Sequence, residues 1–84
     1  MKINEIEKKL KKIMSIVFTI DESKIDINTS NQNVEAWDSL KHLSLILAIE
    51  DEFNIRFTNK ETTLINDFKT IMDILQNNHK LNIQ

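Results

Sequence analysis

Glycine and proline are both absent from these 84 residues, and that double absence limits what the chain can fold into. Glycine enters left-handed backbone conformations without steric cost, and the phosphate-cradling loops of dinucleotide-binding and P-loop folds are built on it. Neither loop can exist here. Chain reversals fall instead to Asn, Asp, Ser and Thr, whose short side chains hydrogen-bond to nearby backbone. These residues cluster in three places, and the apolar residues between them recur with helical period.

The first periodic segment sets Ile3, Ile6, Leu10, Ile13, Met14 and Val17 at alternating three- and four-residue steps, which predicts a helix over about 5–18. Asn4 is its expected cap, with Glu7 at the capping-box position. From Thr19 to Trp37 no period is sustained, and Asp21, Ser23, Asn28, Thr29, Ser30, Asn31 and Asn33 favour local turns. This reads as a long loop pinned to the core by Ile25, Ile27 and Val34. Asp38 opens the strongest helical run, over about 39–53, with Leu40, Leu43, Ile46, Leu47 and Phe53 in helical register and Leu45 and Ile49 widening the apolar arc. Thr58-Asn59-Lys60-Glu61 is a second capping-box pattern and starts a helix of one or two turns. Asn66-Asp67 starts a last helix carrying Phe68, Ile71, Met72 and Leu75, which should fray after Asn77-Asn78 and leave residues 79–84 as a loose tail. The expected fold is an all-α four-helix bundle in a single domain, 1–84, with three main helices, one short helix and a long first loop.

With 29% charged residues and a net charge of −2, the chain lacks the basic surplus of a nucleic-acid binder. Lys8, Lys9, Lys11 and Lys12 are its basic cluster, and Glu5 and Glu7 stand at i,i+4 from Lys9 and Lys11, the pattern of a solvated helix face. The absence of cysteine excludes disulfides, thiolate metal sites and a thiol nucleophile. Any thiol must be imported. His42 and His79 lack ligand-like spacing and a third partner, so no metal is expected. No stretch approaches membrane-spanning length, so no membrane insertion and a cytoplasmic location are expected.

Chemistry concentrates at Asp38-Ser39-Leu40. With Asp38 at the N-cap, Ser39 is the first residue of its helix. Its hydroxyl can face the positive end of the helix dipole, where an anion is favoured by roughly 0.3 to 1 kcal/mol. A hydrolase would need a base and an oxyanion hole, and the G-x-S-x-G elbow is impossible without glycine. His42 follows Ser39 by three residues on roughly the same face and reads as a neutral or solvated surface histidine. No catalytic residue is expected.

This Asp-Ser-Leu follows a long loop, begins the second of four helices and reads on through Leu43 into Leu45-Ile46-Leu47-Ala48-Ile49-Glu50-Asp51-Glu52-Phe53-Asn54-Ile55. In that context the chain resembles the acyl carrier protein family, which includes peptidyl and D-alanyl carriers. The resemblance runs from about Ile3 to Leu75 and is densest between Trp37 and Phe57. It implies that Ser39, framed by Asp38 and Leu40, carries 4'-phosphopantetheine transferred from coenzyme A by a separate Mg-dependent phosphopantetheinyl transferase. The terminal thiol of that arm would hold an acyl or aminoacyl thioester. The chain would then be a substrate, not an enzyme. It would act as a monomer with an acyl-loading ligase or acyltransferase and a downstream synthase.

Lys41 is placed to contact the phosphate, or to be a solvated lysine. The resemblance further implies docking of partners on the exposed face of the second helix. Glu50 and Asp51 (with Glu52) would be its acids, Leu47 or Leu45 its apolar contact, and Lys41 and His42 the residues beside the serine. Trp37 is expected to tuck the loop against the bundle. Carriers of housekeeping fatty acid synthesis have a strongly acidic second helix with an acid soon after the serine, whereas this chain reads Ser39-Leu40-Lys41-His42. The expectation is therefore a specialised carrier of a lipid, cell-surface or secondary-metabolite pathway. A housekeeping carrier is the alternative, and a helical protein-interaction module in which Ser39 only starts a helix is the alternative of another class.

Overall fold

A computed structural model describes residues 2–81 of the chain. Four helices follow one another: α1 (Ile3–Phe18), α2 (Ser39–Phe53), α3 (Asn59–Leu64) and α4 (Phe68–Asp73), with one 3-10 turn, Glu22–Lys24, in the long first loop. The helix over 39–53 lies where the periodicity puts it, and the short third helix where the Thr58–Glu61 capping box puts it. α1 begins earlier than expected. Its N-cap is Lys2, whose backbone N–H donates to the Glu5 carboxylate at 3.4 Å, so Asn4 lies inside the helix and does not cap it.

Helix ends show how a chain without glycine stops a helix. Thr19 after α1 and Asn54 after α2 both adopt the left-handed conformation, with φ of 55°, and each returns its N–H to the last turn, to Ser15 O and Glu50 O. Asparagine visits this region readily, whereas a β-branched threonine is strained there.

The core is one cluster. Ile6, Leu10, Met14 and Phe18 of α1 meet Leu45, Ile46, Ile49 and Phe53 of α2, and Ile65, Phe68, Ile71, Met72, Ile74 and Leu75 close the other side. A Lys9–Glu52 ion pair at 3.3 Å ties α1 to α2, so Lys9 does not take the local Glu5 partner, while Glu7–Lys11 forms as the i,i+4 pattern predicts. The face of α2 that turns inward corrects the expectation. Leu45 is fully buried, and Leu40, Leu43 and Leu47 face solvent at 72%, 54% and 54% exposure. α2 carries two apolar stripes, and only the one opposite α1 finds a partner.

The loop is pinned by Ile25, Val34 and Trp37, all buried, with Trp37 stacked on Phe18 at 5.0 Å. Ile27, expected as an anchor, is exposed; Thr29 is buried in its place, its hydroxyl accepting the Asp26 N–H at 2.9 Å. Backbone bonds from Asn31 N–H to Asn66 O and from Phe68 N–H to Thr29 O, at 2.9 and 2.8 Å, fasten the loop to the α3–α4 junction.

The helical run ends at Asn78, where fraying is expected, but its last turn, Ile74–Asn78, widens into a π-helix, and the His79 N–H reaches Ile74 O. The extra residue in that turn carries Asn78 and His79 round to Glu61 of α3, a buried carboxylate. Glu61 accepts from Asn78 Nδ2 at 2.9 Å and meets His79 Nε2 at 3.2 Å. His79 and the partly buried Leu81 are thus packed and not part of a loose tail; the remainder of that expectation, 82–84, lies outside the described residues.

Candidate functional site

Ser39 is exposed at the first position of α2. Asp38, extended at φ −100°, caps the helix by accepting the Lys41 N–H at 2.8 Å, and its own carbonyl accepts the His42 N–H at 2.8 Å. Among the described residues no acceptor engages the N–H groups of Ser39 and Leu40, the donors a helix start leaves open. The serine hydroxyl therefore stands at a positive helix end beside two unsatisfied donors, with exposed Lys41 in the same turn. This setting suits a phosphodiester anion.

Beside Ser39 opens a cleft of about 550 Å³, lined by Asn31, Trp37, Asp38, Ser39, His42, Thr63, Ile65 and Asn66. His42 is not a solvated histidine. It is half-buried in the cleft wall, its Nδ1 accepting from Trp37 Nε1 at 3.0 Å and its Nε2 lying 3.1 Å from Thr62 O. It is therefore engaged within the protein and does not project as a docking contact.

The other expected docking residues divide. Leu47, Asp51 and Lys41 are exposed, but Leu45 is core. Glu50, with its side chain 13% exposed, is turned to the loop after α2, where it accepts the Phe57 N–H at 2.8 Å and lies 3.9 Å from Arg56. Leu43, placed by its spacing in the apolar register of the helix, is a surface residue. The signal available for it was that α2 holds more apolar residues than one helix face can bury.

Among the described residues no group of His, Asp and Glu is arranged to hold a metal ion, and no helix is long and apolar enough to cross a membrane. No protein-family model matches the chain. Acyl carrier proteins are similar to it over nearly all of both chains. That of Buchnera aphidicola from Schizaphis graminum is 36% identical over 78 residues, 93% of this chain and 99% of the relative. That of Buchnera aphidicola from Baizongia pistaciae is 35% identical over 74 residues, 88% and 95%. A solved structure provisionally assigned as an acyl carrier protein of Mycobacterium tuberculosis superposes with a TM-score of 0.70 at 25% identity, covering 77% of this chain and 86% of that one.

The relatives and the shared helical bundle together place the chain in a class of protein that presents a group to enzymes and does no chemistry itself. The chain belongs to the acyl carrier protein family. Members of this family are not catalysts, and they carry a covalently attached 4'-phosphopantetheine.

Proposed function

We propose that Ser39 is the attachment point of the phosphopantetheine arm and that this chain serves as a specialised carrier. The observation that carries the reading is the exposed Ser39 hydroxyl at a capped helix start, beside the free N–H groups of Ser39 and Leu40. In loading, Ser39 Oγ forms a bond to phosphorus, the pyrophosphate bond of coenzyme A breaks, the nucleotide half leaves, and the serine proton passes to a base of the transferase. Serine's hydroxyl is a weak nucleophile by itself, so that base and the Mg must come from the transferase. The arm supplies a thiol that holds acyl groups as thioesters, which a chain without cysteine cannot supply itself. Asp38 keeps the helix start in place, and Lys41 offers a cation to the phosphate.

The specialised pathway, of lipid, cell-surface or secondary-metabolite type, is supported by the charge around the docking face. Lys41 follows the serine, Glu50 is bound to backbone and Glu52 is paired with Lys9. Exposed Leu40, Leu43 and Leu47 remain as the broad surface for a loading ligase or acyltransferase and a synthase. The chain's location is expected to be the cytoplasm, where coenzyme A and such partners meet it.

Incubating the purified chain with coenzyme A, Mg and a broad-specificity transferase should add the mass of one arm. Ser39→Ala should gain none while changing stability by less than about 1 kcal/mol. An unmodified wild type, or a modified Ser39→Ala, would overturn the assignment. Lys41→Glu should raise turnover by fatty acid synthesis enzymes whose docking patch is basic; unchanged rates would remove the charge argument for specialisation.

A further inference from the structure

The cleft beside Ser39 has a wall to which the carrier reading gives no role. His42 Nδ1 lies 3.0 Å from Trp37 Nε1, and His42 Nε2 lies 3.1 Å from the carbonyl oxygen of Thr62 in α3. An indole N–H can only donate and a carbonyl oxygen can only accept. Both contacts therefore hold together in a single state of the ring, neutral with its proton on Nε2. The Trp37 and His42 rings lie edge to edge across their hydrogen bond, 6.2 Å between centroids and 22° from parallel, and Trp37 stacks in turn on Phe18 of α1. A continuous line of contacts thus runs from α1 through the indole and the imidazole to α3, past the first turn of α2.

We infer that His42 is a positioning residue: as the Nε2–H tautomer it straps the first turn of α2 to α3 and to the buried indole, holding Ser39 in one orientation for the transferase. The inference rests on Ser39 being the loaded residue. α3 has only six residues and little packing of its own, so one bond from α2 to its backbone matters more than it would to a long helix. A proton on Nδ1 would set N–H against N–H at Trp37, so acid should release that half of the strap.

The charged groups near the ring leave this sensitivity to the imidazole. On its own helix, Asp38 is held by the Lys41 N–H and the Lys41 side chain is exposed. On α3, Lys60 is exposed and Glu61 is engaged by Asn78 and His79. In the loop, Glu35 lines a different hollow with Ile20 and Lys24. The remaining cleft neighbours Asn31, Thr63 and Asn66 do not titrate.

The test is long-range proton–nitrogen NMR on the full-length unloaded chain, with transferase kinetics beside it. His42 should show the Nε2–H tautomer, the one its two hydrogen bonds require. The Trp37 indole N–H resonance should move on acidification in the wild type and stay in place in His42→Gln, whose amide keeps a donor for Thr62 without titrating. His42→Phe, which keeps a ring but neither bond, should raise the transferase KM for the carrier about fivefold, the equivalent of one net hydrogen bond, with kcat little changed. His42→Gln should recover part of that loss. An Nδ1–H tautomer, a rapidly averaging ring, or an unchanged KM in His42→Phe would overturn the inference. The NMR result needs no loading, so its failure is distinct from failure of Ser39 to gain mass.

Discussion

Two single residues show opposite ways of meeting a backbone demand. Ser39 occupies a helix start where no acceptor among the described residues engages its N–H and its side chain is exposed, so the position is free to be chosen for chemistry. Thr19 occupies a helix end at φ 55° and ψ 50°, where its Cβ crowds the backbone, and it is held there because its N–H and that of Ile20 both return to Ser15 O. Left-handed geometry costs a non-glycine residue roughly 1–2 kcal/mol. Thr19→Gly should therefore stabilise the chain by about 1 kcal/mol, after the extra freedom glycine gives the unfolded state is subtracted. A urea midpoint that falls instead would mean that the threonine side chain contributes packing which outweighs the strain.

At the scale of elements, α2 is the informative helix. Its apolar residues form two stripes: Leu45, Ile46, Ile49 and Phe53 are buried, whereas Leu40, Leu43 and Leu47 are not. Leu45→Ala should cost about 2–5 kcal/mol, the usual range for a buried leucine. Leu43→Ala should lie within about 0.5 kcal/mol of wild type, as for an ordinary surface change. Equal losses on chemical denaturation would show that the exposed stripe is packed after all. The extent of α2 was legible because Asp38 is a strong cap and the run after it is long. Its buried side was not, because periodicity records spacing but not which apolar stripe meets α1. Asn4 was misread for a related reason. A capping pattern is local, and the chain could extend α1 by two residues with Lys2 at the cap.

Across the whole molecule the radius of gyration is 11.7 Å, against about 12 Å for a folded domain of this length. The long loop must therefore lie on the helices, as its bonds to the α3–α4 junction show. The end of the chain closes on Glu61. Burial pushes this carboxyl up, but the Thr58 N–H, the Asn78 amide and His79 together outweigh it and hold Glu61 below its ordinary value of 4.5. A carboxyl whose folded value is lower than its unfolded one stabilises the fold above the unfolded value. That contribution is lost as pH falls through the folded value. Wild-type stability should therefore decline more steeply than that of Glu61→Gln below about pH 4.5, read from urea midpoints of the two proteins at each pH. Parallel curves would show that Glu61 does not link the α4 end to α3 through its charge.

The sequence by itself determined the all-α class, the span of α2, the short third helix, the position of Ser39 at a helix start and the lack of any thiol of the chain's own. Each follows from local terms: caps, apolar period and residue inventory act within a turn or two of the chain. Only the tertiary structure decided that Leu45 is core and Leu43 surface, that Glu50 and His42 face inward, and that His79 docks on Glu61. These depend on which groups from distant segments arrive within bonding distance, and a carboxylate or imidazole has the same local pattern whether it meets water or a buried partner.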